Sequence, residues 1–164
     1  MFGGDHMEER LVVVFHGVSS VQRVKDMARL IAGLGFSGFV VTKVEGSAAV
    51  TGVPEAFKII YKEKKRLVCL PDLKDAIELF EPSTIYLFVP PRYAEKEFDE
   101  EEVIKKLSEG KKVMLIFGGM EPSFTRAELS LGTPVRLDVE GDVGPIATAA
   151  LALYRLRRRL RGEQ

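Results

Sequence analysis

A single cysteine, Cys69, leaves this 164-residue chain unable to build an internal disulfide framework, and a reducing compartment fits that. It lies on an apolar run and reads as a core thiol. A paired metal-ligand spacing is also missing, so no metal is expected. Charge of one sign is lacking: 24 Lys and Arg balance 24 Asp and Glu. No global field therefore draws in nucleic acid, and any such contact must come from a local patch. No apolar run approaches the length of a membrane span, and nothing resembles a signal peptide, so no membrane partner and a cytoplasmic location are expected. The Gly-x-x-x-x-Gly-Lys loop is absent, as is Gly-x-Gly-x-x-Gly after the first strand. Both absences count against an ordinary nucleotide-binding domain.

What is present is alternation of apolar strands and amphipathic helices. Hydrophobic residues make up 46% and charged residues 29%, ordinary values for one domain with a sizeable core. Residues 1–10 form a polar leader with Gly3-Gly4, expected to fray, and residues 11–164 form the domain. Leu11–Phe15 reads as a buried strand. From Val21 to Leu34, the residues Val21, Val24, Met27, Ala28, Ile31 and Leu34 recur at helical spacing, behind the candidate N-caps Ser19 and Ser20. Strand returns over Phe36–Thr42, and a strand–helix–strand unit with short links implies a parallel sheet. Further helices are expected over Pro54–Lys65, Asp72–Phe80 and Asp99–Ser108, with strands over Leu67–Leu70 and Thr84–Val89. Arg92–Asp99 reads as a mobile polar connection. The fold expected is a single α/β domain, with a mainly parallel sheet of five or six strands flanked by helices.

The stretch from Val113 to Tyr154 carries the most functional signal. Two apolar runs, Val113–Phe117 and Pro134–Leu137, break into Gly118-Gly119 and into a segment holding Gly141 and Gly144. A long apolar helix follows and ends in Arg155, Arg157, Arg158, Arg159 and Arg161. In α/β sheets, strand ends that turn into glycine loops are where ligands sit. Glycine there permits positive φ or a close approach to the main chain. The expectation is a cleft walled mainly by backbone.

The same residues resemble a known family. Phe117-Gly118-Gly119-Met120-Glu121 with Thr125-Arg126-Ala127-Glu128-Leu129 is similar to the second motif of the SpoU-like branch of the SPOUT superfamily, the knotted RNA methyltransferases. Asp142 through Tyr154 is similar in pattern and spacing to its third motif. Phe15-His16-Gly17-Val18, Arg23, Arg29 and Leu34-Gly35-Phe36 fall on its first motif without a gap. The chain thus resembles a divergent, archaeal-type member of that branch over Leu11 to Tyr154. It departs where the family's asparagines and motif-three serine stand: Arg23, a Gly-Met pair, Asp142 and Gly144 occupy those places. His16 replaces an acidic residue.

The resemblance implies a C-terminal trefoil knot, a homodimer, S-adenosylmethionine as cofactor and RNA as substrate. The implied activity is 2′-O-methylation of ribose in tRNA or rRNA. It places the cofactor among Phe117, Gly118, Gly119, Glu121, Leu137, Gly141, Val143 and Ile146, and makes Arg29 the catalytic residue. Arginine stays protonated, so Arg29 would favour an alkoxide or hold a phosphate, not act as base. Plainer readings stand beside these. Arg29 also reads as a solvated helix residue, the glycines as turn residues, Glu121 as a cap and His16 as a hydrogen-bonded strand end. The C-terminal arginines read as wet surface or as an RNA contact. A base methyltransferase is also open, as is a non-catalytic dimeric RNA-binding or assembly protein that keeps the fold.

Overall fold

A computed structural model describes residues 7–120 and 122–162. Six strands form one sheet: β1 (Leu11–Val18), β2 (Gly38–Val44), β3 (Arg66–Leu70), β4 (Thr84–Phe88), β5 (Val113–Gly118) and β6 (Thr133–Val135). Their spatial order is β3-β2-β1-β5-β4-β6, and every pair is parallel. β1 and β5 lie at the centre and are buried along their whole length. Burial on both faces explains why they read as unbroken apolar runs, not as alternating ones. The expected parallel α/β domain is what the chain forms.

Helices cover the two faces unequally. The odd-numbered residues of β1 and β5 pack in one cluster with α1 (Val21–Gly33), α2 (Val53–Lys62), α4 (Glu100–Ser108) and α6 (Pro145–Leu160). The even-numbered residues meet α3 (Leu73–Phe80) and the segment around the short α5 (Arg126–Leu129). In α1 the helical stripe Val24, Met27, Ala28 and Ile31 is fully buried, worth about 1.5–3 kcal/mol for each large side chain. Ser20 caps α1 by accepting from the Arg23 amide, which satisfies one orphan donor. Asp72 with Asp75 closes a capping box at α3, and Thr125 with Glu128 closes another at α5.

Four local expectations are corrected. Arg92–Asp99 is not a loose connection. It begins in a 3-10 turn over Pro91–Tyr93, and Phe98 is buried against Phe88 at 4.9 Å between ring centres. The leader is tied where it is described: the Arg10 carbonyl accepts from Val113 N, and Glu8 lies 3.4 Å from Arg157. Residues 1–6 lie outside the described residues. Cys69 is exposed, because β3 is an edge strand and its alternate side chains leave the core. The C-terminal arginines are largely engaged. Arg155 pairs with Glu100 and Asp138, and Arg159 with Glu101. Arg157 lies 4.3 Å over the Phe36 ring.

One crossing organises the C-terminal third. Val89 donates to the Val135 carbonyl on one edge of β6. On the other edge, Arg136 N donates to Lys96 O and Phe98 N donates to Arg136 O. The link from Val89 to Lys96 therefore passes from one side of residues 135–136 to the other. No described helix is long and apolar enough to cross a membrane.

Candidate functional site: a backbone-walled cleft at the strand ends

The sheet order reverses direction between β1 and β5, and crevices beyond the carboxyl ends of such strands are ligand sites in doubly wound folds. One strand over from that point, a shallow, open cleft lies between the ends of β4 and β5 and the start of α6. Phe88 and Phe117, stacked at 4.4 Å, form its floor. Gly118, Ser123, Asp142 and Gly144 form its walls. A second, still shallower hollow, with Leu137, Gly141 and Val143 in its lining, adjoins the first and shares Val89, Pro90, Asp142 and Thr148 with it.

Five of the eight residues assigned to a cofactor are thus brought together: Phe117, Gly118, Leu137, Gly141 and Val143. Gly119 is buried one residue further on, and Ile146 is half-buried against the core. Glu121 lies outside the described residues.

The glycines differ in what they do. Neither Gly118, Gly119 nor Gly141 has positive φ, contrary to the turn argument; Gly144, at φ 89°, does. A Cβ on Gly118 would stand 2.2 Å from the Ser123 Cβ, and one on Gly119 would stand 2.7 Å from the Val18 Cβ. The chain itself packs on both, the following loop on Gly118 and the end of β1 on Gly119. A Cβ on Gly141 would meet nothing within 4 Å. Open space lies beyond that residue, as a ligand wall requires.

Arg29 is not in the cleft. It projects from α1 with a side chain 55% exposed and pairs with Asp26 one turn away. Within one chain, the arginine that reaches this region is Arg23. Its Nη1 donates to the Gly119 carbonyl at 2.8 Å and so ties α1 to the loop after β5. The sequence offered no signal for that bond, because the partner is a backbone atom 96 residues away.

Across the main chain of Gly118, on the other face of the sheet, stands a polar group that sequence reasoning missed as a unit. His16, 1% exposed, pairs with Gly118 in the sheet register. Its Nδ1 lies 2.7 Å from the Thr42 hydroxyl and its Nε2 lies 2.8 Å from Glu128 Oε2. Phe124 stacks on the ring at 5.9 Å. Burial pushes the His16 pKa below the usual imidazole value and outweighs the opposing pull of Glu128. Thr42 is fully buried, so the Thr-His-Glu line is no nucleophilic triad: substrate cannot reach its hydroxyl.

Comparison with known proteins decides the family. Residues 46–155 match the family described as RecB-family nuclease (DUF2122). A relative from Aeropyrum pernix, named "Putative type II restriction enzyme ApeKORF2002P", is 45% identical over 93% of this chain and 96% of its own. The chain belongs to this family. The fold of this DUF2122 member is also that of solved methyltransferases. A probable methyltransferase from Bordetella pertussis Tohama I superposes with a TM-score of 0.76 over 95% of this chain and 99% of its own, at 18% identity. The SpoU methyltransferase AviRb from Streptomyces viridochromogenes, solved with AdoMet, gives 0.70 over 93% of this chain and 58% of its own, at 15% identity. At such identities the likeness is one of fold. The parallel α/β fold expected for this chain is therefore one it shares with these methyltransferases, while its family description speaks of a nuclease.

Proposed function

We propose that this protein is an S-adenosylmethionine-dependent methyltransferase acting on RNA. The observation that carries the reading is the paired cleft at the ends of β4, β5 and β6, with open space beyond Gly141. The residues present suit the cofactor. Main chain around Leu137 and Gly141 offers donors and acceptors to an adenine edge. The Phe88–Phe117 floor and Val143 offer apolar contact, and Asp142 offers a carboxylate to a cationic group. The first-turn amides of α6 suit a carboxylate. When bound, the cofactor supplies an activated methyl group on sulfonium sulfur. The chain's part is to orient it and exclude water. Arg23 positions the loop after β5 through Gly119. Ribose 2′-O-methylation of tRNA or rRNA belongs to this reading as its finer form.

A homodimer completes the proposal. Leu151 and Tyr154 on α6, with Val143 just before it, are exposed apolar residues, whereas Ala149 and Leu153 from the same stretch are buried in the chain's own core. Ala147, Leu151 and Tyr154 follow helical spacing and form one exposed stripe on α6, suited to a second copy. Arg29, solvent-facing within one chain, would reach the reaction only across that interface. The implied C-terminal knot draws support from the passage of residues 89–96 from one edge of β6 to the other.

The test is calorimetric titration with S-adenosylmethionine and its demethylated product, followed by methyl transfer to total tRNA and rRNA. Micromolar binding that Gly141→Phe abolishes supports the reading. Absence of binding, or metal-dependent cleavage of RNA or duplex DNA by the same preparation, overturns it.

A further inference from the structure

We infer that His16, Asp72 and Glu128 form a binding site for one divalent transition-metal ion, separate from the proposed cofactor cleft. The three residues come from the end of β1, the N-cap of α3 and the short α5. One ligand atom from each lies within 4.8 Å of the other two. Tetrahedral ligands at zinc distances of roughly 2.0–2.2 Å stand about 3.3 Å apart. The His16 Nε2 to Glu128 Oε2 distance, 2.8 Å, is already slightly shorter than that. Asp72, which is exposed, would close the remainder by a shift of its carboxylate that leaves Oδ1 on the Leu73 amide.

The surroundings suit a ligand set. Nδ1 of His16 is held by the Thr42 hydroxyl, and Phe124 stacks along the ring. Fixing the far ring nitrogen orients the near one, the usual arrangement around a metal-bound histidine. Each carboxylate keeps spare acceptor capacity: Asp72 Oδ1 takes the Leu73 amide and Glu128 Oε1 takes the Thr125 amide, and a carboxylate has about four lone-pair sites. One imidazole and two carboxylates favour ions such as Zn2+ or Mn2+ and leave a coordination position for water. Lys43, close enough to act on His16, offsets part of the two negative charges.

The proposal is tested on the full chain, stripped with chelator and titrated with Zn2+ and separately with Mn2+. Two variants remove a ligand charge without removing a cap. Asp72→Asn keeps a favoured N-cap residue, and Glu128→Gln keeps the capping box. Cys69→Ser controls for thiol binding. The proposal expects one ion per chain, a rise in melting temperature on loading, at least tenfold weaker binding in each ligand variant, and no change in Cys69→Ser. No saturable binding of either ion overturns it. So does binding that both ligand variants leave unmoved, or that Cys69→Ser removes. Binding of S-adenosylmethionine is scored separately, so failure here and failure of the methyltransferase reading are distinct results.

Discussion

Replacing Gly118 with alanine separates two explanations of a glycine at a strand end. If glycine is there to admit a ligand, an added methyl leaves the free protein untouched and weakens binding. The structure says otherwise. The new Cβ would stand 2.2 Å from the Ser123 Cβ and 2.3 Å from its Oγ, with the Ser123 Cα at 3.2 Å. Contacts that short force a backbone shift, and overpacking a tight site costs about 1–3 kcal/mol. For a domain of this size, roughly 2–4 °C of melting temperature corresponds to each kcal/mol. The expected loss in free Gly118→Ala is therefore roughly 2–12 °C. Ser123→Gly removes the obstructing atoms but also the 2.8 Å bond from its hydroxyl to the Met120 carbonyl, worth about 1 kcal/mol. The double variant should be more stable than the sum of the two singles, with a coupling of about 1 kcal/mol or more. Thermal or urea unfolding of the four proteins gives the answer. Strict additivity, or a Gly118→Ala protein as stable as the parent, would refute the reasoning.

Other consequences follow from the same geometry. Arg23→Ala, which loses a charged bond to Gly119, should cost about 1–2 kcal/mol and weaken S-adenosylmethionine binding in calorimetry. Arg29→Ala removes an exposed pair worth about 0–1 kcal/mol and should leave both melting temperature and cofactor affinity unchanged while lowering methyl transfer. Leu153→Ala, fully buried on α6, should cost about 2–5 kcal/mol in urea unfolding. The pH dependence is set by His16, whose pKa in the fold lies below its ordinary 6.5. Its contribution to stability is complete above about pH 6.5 and is lost as pH falls through the folded-state value, because the unfolded chain takes up the proton first. His16→Gln should flatten the melting-temperature profile between pH 7.5 and 5.

Much of the fold was legible because local pattern and tertiary role agree. The helical recurrence at Val24, Met27, Ala28 and Ile31 is the face that α1 buries, and the apolar run Val113–Phe117 is the central strand β5. Disagreement began where long-range pairing sets the structure. The last strand run, Pro134–Leu137, yields only Thr133–Val135 as β6, because Arg136 instead pairs with the 96–98 segment. Nothing in the polar stretch Arg92–Asp99 signals that partner. At the cleft, Gly118, Gly141 and Gly144 were readable because apolar runs stop at glycine, whereas Phe117, Leu137 and Val143 entered through the family resemblance. The positive φ expected at Gly118 was wrong all the same, since φ is ordinary there and its tight contact lies in a later loop. His16, Asp72 and Glu128 stand far apart in sequence, and only parallel strands ending side by side bring them together. A search for paired metal-ligand spacing cannot find such a set.

The most direct measurement is equilibrium binding of S-adenosylmethionine to the parent protein and to Gly141→Phe, with melting temperatures recorded on both. Gly141 meets none of the chain's own atoms where a side chain would start, so the account predicts melting temperatures equal within about 2 °C, micromolar binding by the parent and none by the variant. Equal binding by both proteins, or by neither, would contradict it.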